Sequence, residues 1–208
     1  MHINFLNINY LLLILISYLI GSIPSAILIS KVMKTKDPRK FGSNNPGTTN
    51  MLRIANKTSA ALTLIADISK GYISLQITRM FIEDNSTSVL GIISIAVILG
   101  HIYPIFTKFI GGKGVATFLG VLLNINPCLA ITAIITWIIS AKISGYSSLA
   151  SIITVTITPV YYLAFNKNFT YVEKSIFISL VIISIIIVCR HKNNIYNLLK
   201  KVEDKISI

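Results

Sequence analysis

Charge is scarce in this 208-residue chain: 12% of residues are charged, against about a quarter in an ordinary soluble domain. Acidic residues are scarcer still, at 7 Asp+Glu against 19 Lys+Arg, which gives a net charge of +12. The seven carboxylates are scattered along the sequence, so no acidic metal-binding repeat can be assembled. The two cysteines, Cys128 and Cys189, both sit in apolar stretches and supply neither a disulfide framework nor a cysteine-rich metal site. The first nine residues hold no Lys or Arg, and no small-x-small cleavage signal follows the first apolar run, so that run is expected to stay in the chain. Internal repeats, low-complexity tracts and long linkers are also missing, which predicts one domain over residues 1–208.

What is present is hydrophobicity: 53% of residues are apolar and the mean hydropathy is +0.74. Apolar runs stand at Tyr10–Ile29, Thr58–Ile77, Val89–Phe106, Val115–Ile125, Pro127–Ala141, Ser147–Phe165 and Tyr171–Cys189. Crossing a bilayer takes about 20 residues, with 17 near the lower limit. Five runs satisfy that. The Val115 and Pro127 runs are short, and form either two short helices extended by their flanks or one re-entrant hairpin. The composition and the runs predict an all-α integral membrane protein folded as one helical bundle.

Loop charges set its orientation. Lys31, Lys34, Lys36, Arg39, Lys40, Arg53 and Lys57 follow the first run, whereas the Arg79–Ser88 loop sets one Arg against Glu83 and Asp84. The first loop is therefore expected in the cytoplasm and the second outside. Alternation then brings Lys108, Lys113, Lys142 and the tail with Arg190, Lys192, Lys200, Lys201 and Lys205 inside, and leaves Lys167 outside. This parity fits five or seven crossings. Because the basic residues gather between apolar runs, they suit membrane topology and anionic head groups or phosphorylated substrates, and make nucleic acid a poor partner.

The expected cytoplasmic loops hold the chemistry. The first reads Phe41-Gly-Ser-Asn-Asn-Pro-Gly-Thr-Thr-Asn-Met-Leu-Arg53. Gly42 and Gly47 allow backbone N–H groups to converge, Ser43, Thr48 and Thr49 add hydroxyls, and Arg53 adds a planar cationic fork; together these suit a phosphate. A plain interhelical turn, with Arg53 as a topology anchor, is the bland alternative. In the second loop Gly111-Gly112-Lys113-Gly114 precedes an apolar run, so close backbone approach, a lysine and a helix N-terminus coincide. The spacing is not that of a Walker loop. His101 ends an apolar run, and Asp67 and Lys70 stand three apart inside another, where each charge must face protein or water. These three read as structural or supporting groups. Ser148 starts the seventh segment's predecessor as a cap or an anion ligand, and His191 and Asn194 share one helical face in the basic tail. Four different loops thus carry anion-compatible groups to one predicted membrane face.

With these residues the chain resembles the bacterial membrane glycerol-3-phosphate acyltransferases that use acyl phosphate as donor. The resemblance runs from Gly21-Ser-Ile-Pro-Ser through the first loop, Asp67 to Gly71, Gly100-His-Ile-Tyr-Pro, Gly111-Gly-Lys-Gly-Val-Ala-Thr and Ser148-Leu-Ala-Ser to Arg190-His-Lys-Asn-Asn-Ile. It implies a seven-helix bundle with two short central spans, an external N-terminus, a cytoplasmic C-terminus and an active site facing the cytoplasm of a bacterial inner membrane. It also implies phosphate-binding roles for Ser43, Asn45, Thr49, Asn50, Arg53, Gly111, Gly112, Lys113, Gly114 and Ser148. Catalytic roles fall to Ser43, Arg53, Lys113, His191 and Asn194. The implied reaction acylates the primary hydroxyl of glycerol 3-phosphate, leaving lysophosphatidic acid in the membrane and releasing phosphate. Either His191 or a substrate phosphate oxygen takes the proton. No metal or other cofactor is required, the partners being the two substrates, membrane lipids and, functionally, an enzyme that makes acyl phosphate.

Two departures stand out. Asn44 occupies a place where the family usually has Gly, and asparagine tolerates the left-handed conformation better than most residues. The family's Gly-Thr-Glu tail signature is absent after Leu199, where the chain reads Lys200-Lys-Val-Glu203, so Glu203 is not carried over as a site residue. Two other classes are weaker. A phosphorylated-solute transporter predicts paired broken helices in related halves, and a transferase using CDP-activated lipid predicts an acidic metal-binding repeat; neither pattern is found.

Overall fold

A computed structural model describes residues 8–82, 89–166 and 171–206, and among these there is no strand. The expected external groups Glu83, Asp84 and Lys167 lie outside the described residues.

The first apolar run forms α1 (Ile8–Ser22) and α2 (Ser25–Val32). The break falls at Ile23-Pro24, where proline has no N–H to continue the ladder. A short helix, α3 (Thr48–Ile54), follows the polar first loop. The longest helix, α4 (Lys57–Phe81), starts where the Asn56 side chain accepts the Ser59 N–H at 2.8 Å. α5 (Val89–Ile102) runs through a 3-10 turn at Ile105–Thr107 into the glycine-rich loop. α6 (Val115–Ile125) has 11 residues, about 16 Å of helix. α7 (Pro127–Ser144) opens with Asn126 as side-chain cap and proline in its first turn, and closes at Gly145 in the left-handed conformation. α8 (Ser147–Phe165), α9 (Tyr171–Arg190) and α10 (Lys192–Leu199) complete the chain, with α10 bent 57° from the end of α9.

Among the described residues, four stretches are long and apolar enough to cross a membrane: Asn9–Val32, Val89–Thr107, Pro127–Ser144 and Ser147–Phe165. The bent α9–α10 pair adds a fifth. Of the two central helices expected to be short, only α6 is. α7 continues past Lys142 to Ser144 and reaches 18 residues, because a lysine near a helix end can extend its ammonium beyond the apolar layer.

α4 is long but not uniformly apolar. Ser59, Thr63, Asp67, Lys70, Ser74 and Thr78 recur every three or four positions and are all buried. Thr63, Ser74 and Thr78 return their hydroxyl protons to carbonyls one turn back at 2.8–2.9 Å, which removes the cost of burying them. The outer face of α7 has the opposite character: Ile131, Ile135 and Ile139 are about half exposed, as expected of residues that face lipid. Polar groups inside and isoleucines outside describe a bundle whose solvent is the bilayer.

Helices α1 and α5, α4 and α6, and α7 and α8 form the main pairs around a core of Leu75, Ile93, Val97, Phe118, Val121, Leu180 and Ile183. α4 and α6 approach closely because each brings a glycine to the crossing. A Cβ on Gly71 would strike the Thr117 carbonyl, and one on Gly120 would strike the Ile68 carbonyl. That contact holds the N-terminus of α6 beside Asp67 and Lys70.

Candidate active site

At one end of the bundle a cavity of about 420 Å³ is lined by residues from the first loop, α3, α4, α5, α6, α7, α8, α10 and the tail, and by Lys113 and Gly114 of the glycine-rich turn but not by Gly111 or Gly112. All four polar segments singled out in the sequence reach it.

The first loop is built on left-handed turns, with Gly42 at φ +65° and Asn44 at φ +55°. Asn44 thus adopts the conformation expected for a glycine at that place. Asn50 holds the loop together: its Oδ1 accepts the Ser43 N–H at 3.0 Å, and its Nδ2 donates to the Pro38 and Phe41 carbonyls at 2.9 and 3.0 Å. With both ends of the amide engaged, Asn50 shapes the loop rather than presenting free donors to a ligand. Thr49 Oγ1 lies 3.0 Å from Ser147 Oγ, which ties this loop to the start of α8. Ser43, Asn45 and Arg53 also line the cavity. Arg53 Nη2 donates to the Asp204 carbonyl at 3.0 Å, and its Nη1 is 3.4 Å from the Asp204 carboxylate.

The second segment turns at Gly114 (φ +91°) into α6 and delivers Lys113 to the cavity. Lys113 Nζ donates to Asn194 Oδ1 at 2.6 Å. Burial pushes its ammonium down to about 8; the Glu203 carboxylate opposes this, while Arg53 and Arg190 reinforce it.

Ser148 was open to two readings, and its hydroxyl does not cap α8: it donates to Glu203 Oε1 at 2.7 Å. Glu203 Oε1 also accepts from Asn194 Nδ2 at 2.6 Å. A continuous network therefore runs Lys113, Asn194, Glu203, Ser148. Glu203 lines the cavity, a position that the tail sequence gave no reason to assign. α10 ends with Lys201 N–H on the Leu198 carbonyl at 3.1 Å and Val202 N–H on the Asn197 carbonyl at 2.9 Å, with Lys201 left-handed at φ +58°. This is the paired-bond helix ending normally built on glycine. Lysine takes the strained conformation and brings Glu203 back to the cavity. The recognisable signal was the glycine; the geometry persists without it.

His191 is buried, and the Asn194 amide on the same helical face is engaged by Lys113 and Glu203 instead. His191 Nδ1 lies 2.8 Å from the Ile187 carbonyl. A carbonyl only accepts, so Nδ1 carries the proton and Nε2 of the neutral ring keeps a lone pair. Burial drives the imidazole down to about 4, aided by Lys113 and Arg190 and opposed by the Ile187 bond and Glu203.

Asp67 and His101 also line the cavity, and Asp67 forms the expected ion pair with Lys70 at 2.9 Å. The opposite wall is apolar: Leu64 and Ile68 from α4, Leu119 from α6, and Ile134, Trp137 and Ile138 from α7. The Trp137 N–H is satisfied by Ser151 Oγ at 3.0 Å. One cavity thus combines the Arg53 and Lys113 cations, two imidazoles, hydroxyls and the hydrogen-bonded Asp67 and Glu203 carboxylates with a hydrophobic wall on a lipid-facing helix. This arrangement suits an anionic headgroup attached to an acyl chain.

Comparison with known proteins finds relatives along nearly the whole chain. Residues 11–201 match the family model described as glycerol-3-phosphate acyltransferase. The glycerol-3-phosphate acyltransferase of Bordetella pertussis is 46% identical over 194 residues, covering 93% of this chain and 90% of that protein. That of Shewanella loihica is 43% identical over 198 residues, covering 95% and 93%. Among solved structures, the crystal structure of PlsY, an integral membrane glycerol 3-phosphate acyltransferase, in its glycerol 3-phosphate form superimposes with a TM-score of 0.87 at 33% identity over 96% of both chains. The lysophosphatidic acid form of PlsY gives 0.83 at 31% identity, again over 96% of both.

Proposed function

Because the chain belongs to the glycerol-3-phosphate acyltransferase family, we propose that it transfers an acyl group from acyl phosphate to the primary hydroxyl of glycerol 3-phosphate. The products are lysophosphatidic acid and inorganic phosphate, making this the first acylation of phospholipid synthesis. The observation that carries the reading is the network from Lys113 through Asn194 and Glu203 to Ser148, set between Arg53 and an apolar wall in a single cavity.

The chemistry follows from that arrangement. The donor is a mixed anhydride and arrives activated, so the protein has to bring two phosphates together and direct the hydroxyl at the carbonyl carbon. Arg53 and Lys113 supply the positive charge, and the Ser43 and Thr48 hydroxyls and the Asn45 amide on the cavity wall supply donors for phosphate oxygens and the developing oxyanion. A new C–O ester bond forms as the bond from the carbonyl carbon to the phosphate oxygen breaks. The lone pair of His191 Nε2 accepts a hydrogen bond from the hydroxyl. An imidazole held near 4 is a weaker base than a phosphate oxygen titrating near 6, so the departing phosphate is assigned the proton and His191 the orientation of the O–H group.

In this reading the chain crosses a bacterial inner membrane seven times, through α1 with α2, then α4, α5, α6, α7, α8 and α9. The N-terminus is external, α10 and the tail are cytoplasmic, and the cavity opens to the cytoplasm. The short α6 crosses by virtue of its close packing on α4 and the polar loop preceding it. The basic α2–α3 loop and tail support the orientation. The donor implies functional coupling to an enzyme that forms acyl phosphate.

The test is a donor comparison with purified protein in detergent: acyl phosphate, acyl-CoA and acyl-carrier protein are each supplied with glycerol 3-phosphate. Lysophosphatidic acid formed with stoichiometric phosphate release from acyl phosphate alone supports the proposal. Equal or better turnover with a thioester contradicts it.

A further inference from the structure

The Gly111–Gly112 segment has no side chains to fix its shape, yet it must place the next residue, Lys113, within 2.6 Å of Asn194. The turn is surrounded by a buried polar group with no part in the steps above. Lys70 Nζ pairs with Asp67 Oδ1 at 2.9 Å and donates to the Ile23 carbonyl at 3.1 Å, in the break between α1 and α2. His101 Nδ1 stands 3.1 Å from Thr117 Oγ1 on α6 and 3.6 Å from Asp67 Oδ1. All four side chains are 7% exposed or less.

His101 meets the glycine turn in three ways. Its carbonyl accepts the Gly112 N–H at 3.2 Å. Gly111 lies so close that a Cβ there would strike the His101 carbonyl, and a Cβ on Gly112 would strike His101 Nε2. The imidazole is thus the surface on which the turn rests, and Asp67 and Thr117 hold that surface from two different helices. Burying a carboxylate and an ammonium is expensive, and apolar side chains of equal volume would pack the bundle as well. A buried charged group earns its place when it fixes one geometry among several.

We propose that His101, oriented by Asp67 and Thr117, is a positioning residue that moulds the Gly111–Gly112 backbone and so delivers Lys113 to the anion site. The proposal rests on the reading of Lys113 as an anchor for a phosphate-bearing substrate.

The experiment uses the full-length protein in detergent and follows acetylation of Lys113 by mass spectrometry, with and without inorganic phosphate, beside thermal stability and steady-state kinetics. His101→Ala should abolish phosphate protection of Lys113 and raise the KM for glycerol 3-phosphate about tenfold, with kcat reduced less. His101→Asn keeps an N–H near the Nδ1 position and should recover much of the protection. Thr117→Val preserves volume and removes only the bond to the ring, so it should raise KM severalfold with little change in Tm. Gly112→Ala should resemble His101→Ala, and the two combined should do no more than either alone, because both break the same contact. If His101→Ala fails to fold, Thr117→Val and Gly112→Ala decide by the same readouts. Variants that lower Tm but leave protection and KM unchanged reduce His101 to a packing residue and overturn the proposal. Loss of protection in a protein whose wild type acylates glycerol 3-phosphate from no donor leaves the positioning role standing and removes the proposed reaction.

Discussion

Lys113 Nζ donates to Asn194 Oδ1 across 2.6 Å, joining the glycine turn before α6 to helix α10, 81 positions later in the chain. The other end of the same amide donates to Glu203 at 2.6 Å. Asn194 therefore separates an ammonium from a carboxylate that would otherwise pair directly, and keeps both facing the cavity. Asn194→Ala removes two bonds to charged partners, each worth about 1.5–3 kcal/mol, so kcat/KM should fall by roughly 100-fold or more. Steady-state kinetics with both substrates varied will check this.

The charge on Lys113 sets the alkaline side of the pH profile. Its ammonium, held at about 8 by burial, discharges above that pH, so kcat/KM should decline from about pH 8 upward. Unfolding is not the cause, because discharging a buried lysine whose folded value lies below its unfolded one adds stability as pH rises. The Glu203 carboxylate holds the Lys113 value up. Glu203→Gln should therefore move the alkaline limb to lower pH, whereas Lys113→Arg should abolish it. Profiles of kcat/KM between pH 6 and 10 decide the point.

His191 makes the opposite end of the pH range informative. Its folded value near 4 lies below the ordinary 6.5, so the unfolded chain binds the extra proton between those limits. The His191 contribution to stability should be constant above about pH 6.5 and fall progressively toward pH 4, by up to roughly 3 kcal/mol. His191→Asn keeps a donor for the Ile187 carbonyl and removes the titration, so the difference in Tm between wild type and variant should narrow as the pH falls. A constant difference would show that His191 does not carry the effect.

Lys201 holds a left-handed turn that glycine would occupy without strain. Lys201→Gly should stabilise the protein by up to about 1 kcal/mol, the relief of αL strain being partly offset by the greater freedom of glycine in the unfolded chain. Activity should be retained, because the turn that returns Glu203 to the cavity keeps its shape. Thermal unfolding in one detergent, compared with the wild type, measures the difference.

Much of this organisation could be read from the chain. The apolar runs locate α1, α5, α8 and α9 because lipid demands length and hydrophobicity together, and the polar loops that meet at the cavity were visible as four separate segments. The Asp67–Lys70 pair followed from spacing of three on a helix and the cost of an unpaired charge in that setting. The inner face of α4 was not visible as such, since its serines and threonines satisfy themselves against their own helix and leave no partner to infer. The partners of His191 and Asn194 depended on how α10 bends from α9 and how the tail returns, which no local pattern encodes. Glu203 was hidden because a lysine performs the conformational task of a missing glycine. Asn50, expected among the phosphate ligands, spends its amide on the loop, a division of labour that only three-dimensional contacts reveal.

The proposed reaction requires polar segments from separate helices to share one pocket at one face of the membrane. The direct measurement places single cysteines at Ser43, Lys113 and His191 in a background where Cys128 and Cys189 are replaced, and labels them in sealed inside-out and right-side-out vesicles with a membrane-impermeant thiol reagent. All three should react from the cytoplasmic side alone, and glycerol 3-phosphate should slow the reaction at Ser43. Reaction of any one of them from the outer face would separate the groups by the width of the bilayer and contradict the account.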